Sequence, residues 1–325
     1  MRFNPKANLD TSRTSDRGRS GGGGLGGGLG GGSVPLPGSL KAGGGAGVVI
    51  VLLVVLATSC LGGGGGTGGV GGAGLDQIFG QSAGTDVSRM AGEDSARYAS
   101  CKTGEDANSS VDCARVAVEN SLYAFWDDEF TAQGKKFRPA VVNTFSGNVS
   151  TACGAASSSM GPFYCPADQQ IFLDTTFFSD VLEGQLGGQG GDFVEPYVLG
   201  HEYGHHIQNL LGTMNKVRTQ QGADSDAVRL ELQADCYAGM WARSAAGLAG
   251  DDGVAIIEEL DRSDISEALD SAKAVGDDRI QQRSGGKVNS DGWTHGSSQQ
   301  RMNWFMTGYE TGSLKSCDTF AARTL

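Results

Sequence analysis

The sequence lacks a surplus of basic residues, and this bears on the partners that it can bind. Its 325 residues include 25 Lys and Arg against 37 Asp and Glu, a net charge of −12. Residues 1–45 carry six basic and two acidic side chains, which leaves 19 basic and 35 acidic residues in the rest, a net charge of −16. Because an acidic domain repels the phosphates of nucleic acid, we expect no nucleic-acid partner.

One long stretch of the chain has too few apolar side chains to form a core. Of the 54 glycines, 27 fall between Gly21 and Gly84. Such a segment cannot offset the entropy of ordering its backbone. We therefore predict a disordered Gly/Arg-rich tail at residues 1–45 and a Gly-rich linker at residues 62–85. The remaining residues, 86–325, suit one domain of roughly 240 residues.

Charged residues are absent from residues 46–61, which read AGVVIVLLVVLATSCL. A spanning helix needs about 20 apolar residues, with a lower limit near 17, and the small Gly and Ala neighbours extend this run to that length. A buried core helix is the alternative, but the glycine-rich flanks leave nothing to pack against it. We predict a single-pass transmembrane helix here, hence a membrane as one partner of the chain.

The basic excess precedes this apolar segment, so the positive-inside rule predicts a cytoplasmic tail and a domain outside the membrane. A cleaved signal peptide is a weaker alternative, because more than forty residues precede the apolar run. A lipoprotein signal ending at Cys60 is also weaker, because Ala57 stands where such signals usually carry a large aliphatic residue.

The seven cysteines include no pair with CxxC spacing, which disfavours zinc binding by thiolates. Cys60 belongs to the apolar segment, and six cysteines remain in the domain. Two pairs are twelve residues apart, and loops of that size are readily closed by disulfides outside the cytosol. Six cysteines allow fifteen pairings, and proximity alone favours one of them. That pairing is Cys101–Cys113, Cys153–Cys165 and Cys236–Cys317.

Histidine is scarce, and three of the four histidines lie in one segment, GDFVEPYVLGHEYGHHIQNLLG at residues 191–212. Asp192 and Glu195 have the spacing of a capping box, and the apolar periodicity predicts a helix of about five turns. His201 and His205 are four residues apart, so one helix face presents both imidazoles to a single Zn²⁺. Glu202, rotated by about 100°, can take a proton from the water that zinc activates.

A second helix is predicted at residues 225–246, SDAVRLELQADCYAGMWARSAA. Glu231 and Asp235 lie one turn apart on it and point the same way. Catalytic zinc uses three protein ligands and an open position, so Glu231 can supply the third ligand. Asp235 can accept the free N–H of a zinc-binding histidine and thereby fix its ring. A solvated helix face is the alternative, which the HExxH segment upstream makes less favourable.

These segments, HEYGHHIQNLLG followed by ELQADCYAG, resemble the putative neutral zinc metallopeptidase family of bacterial membrane-anchored proteins. Similar blocks occur at residues 161–178 and 294–320, so the resemblance covers most of the chain after the linker. The resemblance implies His201, His205 and Glu231 as zinc ligands and Glu202 as the catalytic carboxylate. It also implies an α+β, zincin-like fold, mainly helical with a small sheet, in a domain outside the bacterial cytoplasmic membrane.

Several further residues have roles that the sequence leaves open. The zincin-like fold that the resemblance implies has an edge strand that holds substrate, and residues 170–174, QIFLD, are the candidate for it because they are β-prone. His295 is a candidate for stabilising the oxyanion, with a structural hydrogen bond as the alternative. Arg301 is expected to pair with a buried carboxylate. His206 is turned away from His205, so a surface or outer position is expected rather than a metal ligand.

The sequence is compatible with two functions. The first is a membrane-anchored zinc endopeptidase with peptide or protein substrates. The second is a scaffold in which zinc is structural and the domain binds a partner in the cell envelope. Glu202 favours the enzyme, because a purely structural zinc site has no use for a carboxylate that is not a ligand.

Overall fold

The computed structural model of the protein describes residues 1–19 and 96–325. The predicted membrane segment at 46–61 and the linker at 62–85 lie outside these residues, as do residues 20–45 of the tail and the first ten residues of the predicted domain. Within the described parts of the chain, no helix has the length and apolar character needed to cross a bilayer.

The described residues form helices and small sheets, as expected for an α+β protein. The strands are β1 (Arg2–Phe3), β2 (Thr14–Arg19), β3 (Val141–Ser146), β4 (Asn148–Thr151), β5 (Gly154–Ser157), β6 (Phe163–Cys165), β7 (Gln170–Asp174) and β8 (Ile257–Glu259). The helices are α1 (Gly104–Ser109), α2 (Val111–Ala132), α3 (Val194–Leu210), α4 (Asp226–Ala245), α5 (Arg262–Ala274), α6 (Asp277–Arg283) and α7 (Ser298–Thr311).

The largest of the described sheets has the strand order β2-β3-β7-β6. Strands β2, β3 and β7 run parallel, and β6 pairs with β7 in the antiparallel direction. The strand predicted at residues 170–174 is confirmed as β7, but the prediction that it lies at an edge is wrong. Its buried Ile171-Phe172-Leu173 run has strands on both sides, as continuous apolar runs favour. Among the described strands, β2 and β6 form the two edges of this sheet.

The helical core depends on close approach between helices α4 and α7. A Cβ atom added to Gly308 of α7 would lie 1.9 Å from the carbonyl oxygen of Cys236, and one added to Gly239 of α4 would lie 2.0 Å from that of Phe305. Only glycine permits this backbone contact. The aromatic side chains of Trp126 and Trp241 fill the space between α2, α3 and α4 and are fully buried.

The predicted disulfide pairing is confirmed. Cys101–Cys113 ties the residues before α1 to α2, and Cys153–Cys165 ties the β4–β5 hairpin to β6. Cys236–Cys317 joins α4 to the segment after α7 across 81 residues. In the chain-entropy view, closing a loop of that length stabilises the fold by about 4 kcal/mol.

Helix α3 begins differently from the sequence-based expectation. The predicted capping box between Asp192 and Glu195 does not form, because both carboxylates have other partners. Asp192 lies 2.8 Å from the α-amino group of Met1, and Glu195 pairs with Arg115 of α2. The backbone N–H of Phe193, the residue before the helix, is instead satisfied by Glu267 of α5 at 2.8 Å.

Residues 1–19 are part of the folded domain. Strand β1 pairs with β8, and β2 adds a parallel strand to β3. The side chains of Phe3 and Ala7 are buried. The prediction of a disordered tail is therefore wrong for residues 1–19. The glycine-rich composition that motivated it begins at Gly21, beyond this segment.

Candidate metal centre

Two glycines of α3 bring this helix close to α4. A Cβ atom on Gly204 would lie 3.0 Å from the Cα atom of Ala234, and one on Gly200 would lie 3.3 Å from the side chains of Ala238 and Trp241. Because Gly200 and Gly204 are four residues apart, both lie on the face toward α4. The close approach brings Glu231 of α4 within reach of the histidines of α3.

His201, His205 and Glu231 meet at the contact between these helices. One ligand atom from each of them lies within 4.8 Å of the others. Glu231 Oε2 is 3.2 Å from His201 Nε2, and Glu231 Oε1 is 3.4 Å from His205 Nε2. The two imidazole rings are nearly perpendicular, with centroids 4.7 Å apart. All three side chains are buried.

The donor set fits a catalytic zinc ion. Two imidazole nitrogens and one carboxylate are a ligand set that such sites use. Glu231 Oε1 is buried and has no hydrogen-bond donor among the described residues, which is costly unless a cation binds it. Burial alone would raise the pKa of Glu231, but His205 and His201 outweigh that effect and hold this pKa well below its usual range.

Asp235 binds the outer nitrogen of His201, as the spacing on α4 predicts. Its Oδ1 atom accepts hydrogen bonds from His201 Nδ1 at 2.8 Å and from the Tyr197 hydroxyl at 2.7 Å. Arg301 of α7 donates to both carboxylate oxygens at 2.8 Å. Burial opposes ionisation of Asp235, but Arg301 and His201 outweigh it and lower the pKa of this carboxyl group. The predicted pairing of Arg301 with a buried carboxylate is confirmed.

The outer nitrogen of His205 has a neutral partner. Its Nδ1 atom lies 2.9 Å from Gln208 Oε1, and Gln208 Nε2 donates to the carbonyl oxygen of Leu230 at 2.6 Å. The second contact orients the amide, so that its oxygen faces the imidazole and Nδ1 donates. This leaves Nε2 as the inward nitrogen. Gln208 and Tyr197 were not predicted from the sequence. Their spacings, three residues from His205 and four from His201, place each on the same helix face as the nearby histidine and were the available signal.

Glu202 is buried beside the two histidines. Burial raises the pKa of its carboxyl group, and the neighbouring His205 and His201 act in the opposite direction without cancelling the rise. Buried carboxyl groups with a raised pKa are typical of residues that transfer protons in catalysis.

His206 is not at the surface: its ring is fully buried between α3 and β6. Its Nε2 atom donates to the carbonyl oxygen of Arg138 at 2.6 Å, so Nδ1 accepts from the Tyr164 hydroxyl at 3.1 Å. Asn209 donates to the same hydroxyl at 2.8 Å. Burial lowers the pKa of His206 to about 4. His206 is therefore a neutral link between α3 and the edge strand, placed away from the metal ligands.

His295 lies in a loop that packs on α4: a Cβ atom added to the next residue, Gly296, would lie 3.1 Å from the side chain of Val228 and 3.4 Å from that of Leu232. Its backbone N–H donates to Asp277 Oδ2 at 2.7 Å, and its Nδ1 atom lies 2.8 Å from the Thr294 hydroxyl and 3.4 Å from Asp277 Oδ1. Burial lowers the pKa of His295, but Asp277 and Glu231 outweigh this and raise it. Asp277 also went unnoticed in the sequence, where nothing connects it with a histidine eighteen residues away.

Comparison with known proteins agrees with this geometry. The model of the family described as putative neutral zinc metallopeptidase matches residues 5–320. Uncharacterized protein Rv2575 of Mycobacterium tuberculosis is 49% identical over 227 residues, which cover 69% of this chain and 76% of that protein. Uncharacterized protein YpfJ of Escherichia coli is 44% identical over 201 residues, covering 60% of this chain and 66% of that protein. No solved structure matches the chain.

Proposed function

The chain belongs to the putative neutral zinc metallopeptidase family, whose cofactor is Zn²⁺, and on that premise we propose that it hydrolyses peptide bonds at a zinc centre between α3 and α4. His201, His205 and Glu231 hold the zinc ion in this proposal. The observation that carries it is the convergence of ligand atoms from these three side chains within 4.8 Å, with the buried Glu202 on the helix that carries the two histidines. Bound zinc supplies Lewis acidity, which activates water and polarises the scissile carbonyl group.

Glu202 is the proposed general base. Its carboxylate accepts a proton from the attacking water and then passes that proton to the nitrogen of the leaving amine. Glu202 is buried, so its carboxyl group is shielded from bulk water while it holds the proton between the two steps. Asp235 and Gln208 keep the two histidine rings in the orientation that binding requires, since each accepts from an outer nitrogen.

His295 is proposed to donate a hydrogen bond to the oxyanion that develops on the scissile carbonyl group. Asp277 binds the backbone N–H and the Nδ1 side of His295, and the next residue, Gly296, packs against Val228 and Leu232 on α4, the helix that carries Glu231.

The proposed fold is zincin-like, and β6 is the proposed substrate strand. The sheet has three parallel strands followed by an antiparallel edge strand, and that edge strand is linked to α3 through Tyr164 and His206. An extended peptide can add to such an edge through backbone hydrogen bonds, with alternate side chains in pockets. In this proposal β6 has the substrate-binding role that was predicted for residues 170–174, which form β7.

We propose that the domain works outside the cytosol on peptide or protein substrates. Three disulfides support an oxidising compartment. The acidic charge supports a peptide rather than a nucleic acid as substrate. A membrane anchor at residues 46–61 remains a prediction from the sequence, and with it the placement at a bacterial cytoplasmic membrane.

The alternative function, a scaffold with a structural zinc ion, makes a different prediction for one experiment. The full chain is treated with a chelator, dialysed, and supplied with one equivalent of Zn²⁺, and hydrolysis of an unfolded protein is followed at each stage. A peptidase loses activity with the metal and recovers it with zinc. A zinc-replete chain that leaves a panel of unfolded proteins intact would favour the scaffold.

A further inference from the structure

Residues 1–19 contact residues 96–325 along their whole length. Strand β1 pairs with β8 near the end of α4, and strand β2 extends the sheet next to β3. Between these strands, the backbone N–H of Asp10 donates to Asn120 of α2 at 2.7 Å, and Asn120 donates back to the carbonyl oxygen of Asp10 at 2.8 Å. The segment thus crosses from one sheet to another over the surface of α2.

The domain core contains a charge that residues 1–19 neutralise. Glu119 of α2 is fully buried, and Arg13 donates to its two carboxylate oxygens from Nε at 2.8 and 3.1 Å. Burying a carboxylate without a partner is strongly unfavourable. Tyr203, which lies between the two zinc-site histidines in the sequence, contacts the same carboxylate at 3.4 Å. Residues 1–19 are therefore connected, through Glu119, to Tyr203 of α3, the helix that carries His201 and His205.

The two described parts of the chain also meet where they approach the glycine-rich stretch. Asp16 Oδ1 accepts from Thr144 of β3 at 2.9 Å and lies 3.4 Å from Arg97 Nη1. Arg97 in turn pairs with Asp112 of α2 at 2.9 Å. Asp16 and Arg97, which lie near the two ends of the undescribed stretch, are thus at neighbouring points of the same surface.

From these contacts we infer that residues 1–19 and 96–325 fold together in one compartment. A single membrane crossing between them would place Arg13 and Glu119 on opposite sides of a hydrocarbon layer about 30 Å thick, where neither the ion pair nor the β2–β3 pairing could form. This inference replaces the single crossing predicted at residues 46–61, because a cytoplasmic N-terminus combined with an extracytoplasmic domain is incompatible with the folded state. The disulfides place the shared compartment outside the cytosol.

Thiol labelling of the full chain tests this directly. Arg2→Cys and Glu259→Cys are made separately in a Cys60→Ser background. The two native side chains face each other across β1 and β8 and are 57% and 60% exposed. Cells that express each variant are treated with a membrane-impermeant maleimide, before and after permeabilisation. Val288→Cys, at an exposed site of the domain, is the matched control.

The inference predicts that the thiols at positions 2 and 259 become reactive under the same condition, the one in which position 288 also reacts. Labelling of position 2 only after permeabilisation, with position 259 reactive in intact cells, would overturn it. The opposite pattern would overturn it equally, because either result puts the two strands on different sides of a membrane.

A second measurement uses the stability of the purified full chain. Arg13→Met is expected to lower the Tm by roughly 10 °C, because it leaves Glu119 buried without its cation. The double variant Arg13→Met/Glu119→Gln should recover much of this loss. An unchanged Tm in Arg13→Met would show that residues 1–19 do not dock, and would overturn the inference. This outcome is independent of peptidase activity.

Discussion

Asp235 Oδ1 lies 2.8 Å from His201 Nδ1, and the Arg301 guanidinium group donates a hydrogen bond to each oxygen of the same carboxylate. This arrangement connects three helices at the metal centre: α3 supplies the histidine, α4 the aspartate and α7 the arginine. The His201 ring is fixed by an anion that is itself neutralised by a buried cation. The geometry of the proposed zinc site therefore depends on α7 as well as on the two helices that carry the ligands.

The ligand assignment predicts unequal losses of zinc. Glu231→Gln should lose most bound zinc, because it replaces a proposed ligand, whereas Asp235→Asn should weaken zinc affinity by about 10–100-fold, as loss of an outer partner does. Metal content after dialysis against a weak chelator checks both, with the exposed Glu259→Gln as the matched control. Full zinc retention by Glu231→Gln would move the third ligand elsewhere.

Arg301 is expected to stabilise the fold through Asp235. Arg301→Met leaves a fully buried carboxylate without its cation, and the expected cost is about 3–5 kcal/mol in the free energy of unfolding. Denaturant unfolding in the presence of chelator measures this, so that zinc binding does not contribute. The exposed Arg262→Met is the control and should stay within about 0.5 kcal/mol of wild type. A similarly small change in Arg301→Met would contradict the role given to this ion pair.

His206 should make the protein less stable in mild acid. The pKa of the folded-state imidazole is about 4, whereas a histidine in the unfolded chain titrates near 6.5. Between these values the unfolded state binds the proton and the folded state does not, so stability falls as the pH decreases through this window. The full effect is about 3 kcal/mol.

The measurement for His206 is denaturant unfolding at several pH values between 7.5 and 4 for wild type and His206→Gln. The glutamine cannot take up a proton in the unfolded state, so the variant should lack this part of the pH dependence, although other groups still titrate. Equal pH slopes for the two proteins would show that His206 does not stay neutral in the folded state.

His295 should affect turnover rather than metal binding. Loss of one hydrogen bond to an oxyanion costs about 100-fold in kcat or more, so His295→Gln should show a fall of that size with its zinc content unchanged. Thr294→Val, which removes the neighbouring hydroxyl contact, is the matched control and should have a smaller effect. An unaltered kcat in His295→Gln would leave this histidine with a structural role alone.

The sequence predicted the parts of the site that depend on local geometry. His201 and His205 lie four residues apart on one helix, and Glu231 and Asp235 repeat that spacing on another, so each pair shares a face. That the two pairs meet depends on the contact of Gly200 and Gly204 with α4. Hydrophobic periodicity does not indicate which helices pack together. The resemblance to a metallopeptidase family predicted this contact, because it implies that residues of both helices bind one zinc ion.

The parts that escaped prediction are those set by distant pairing. Strand β2 is polar, and it is ordered because β3, more than one hundred residues away, pairs with it. Glu119, equally distant in sequence, binds Arg13 immediately before the strand. Likewise, β7 has the composition of a strand, but only its pairing with both β3 and β6 reveals that it is not an edge. Composition indicates the secondary structure that a segment favours by itself. The order of β2 and the position of β7 in the sheet are set by the strands that pair with them.

The central claim is that Glu202 transfers the proton at a zinc centre formed by His201, His205 and Glu231. The most direct measurement compares kcat for hydrolysis of one unfolded protein substrate by wild type and by Glu202→Gln, with zinc content measured in the same samples. We predict equal zinc and a loss of at least about 100-fold in kcat for the variant. Equal zinc and equal kcat in the two proteins would contradict the claim.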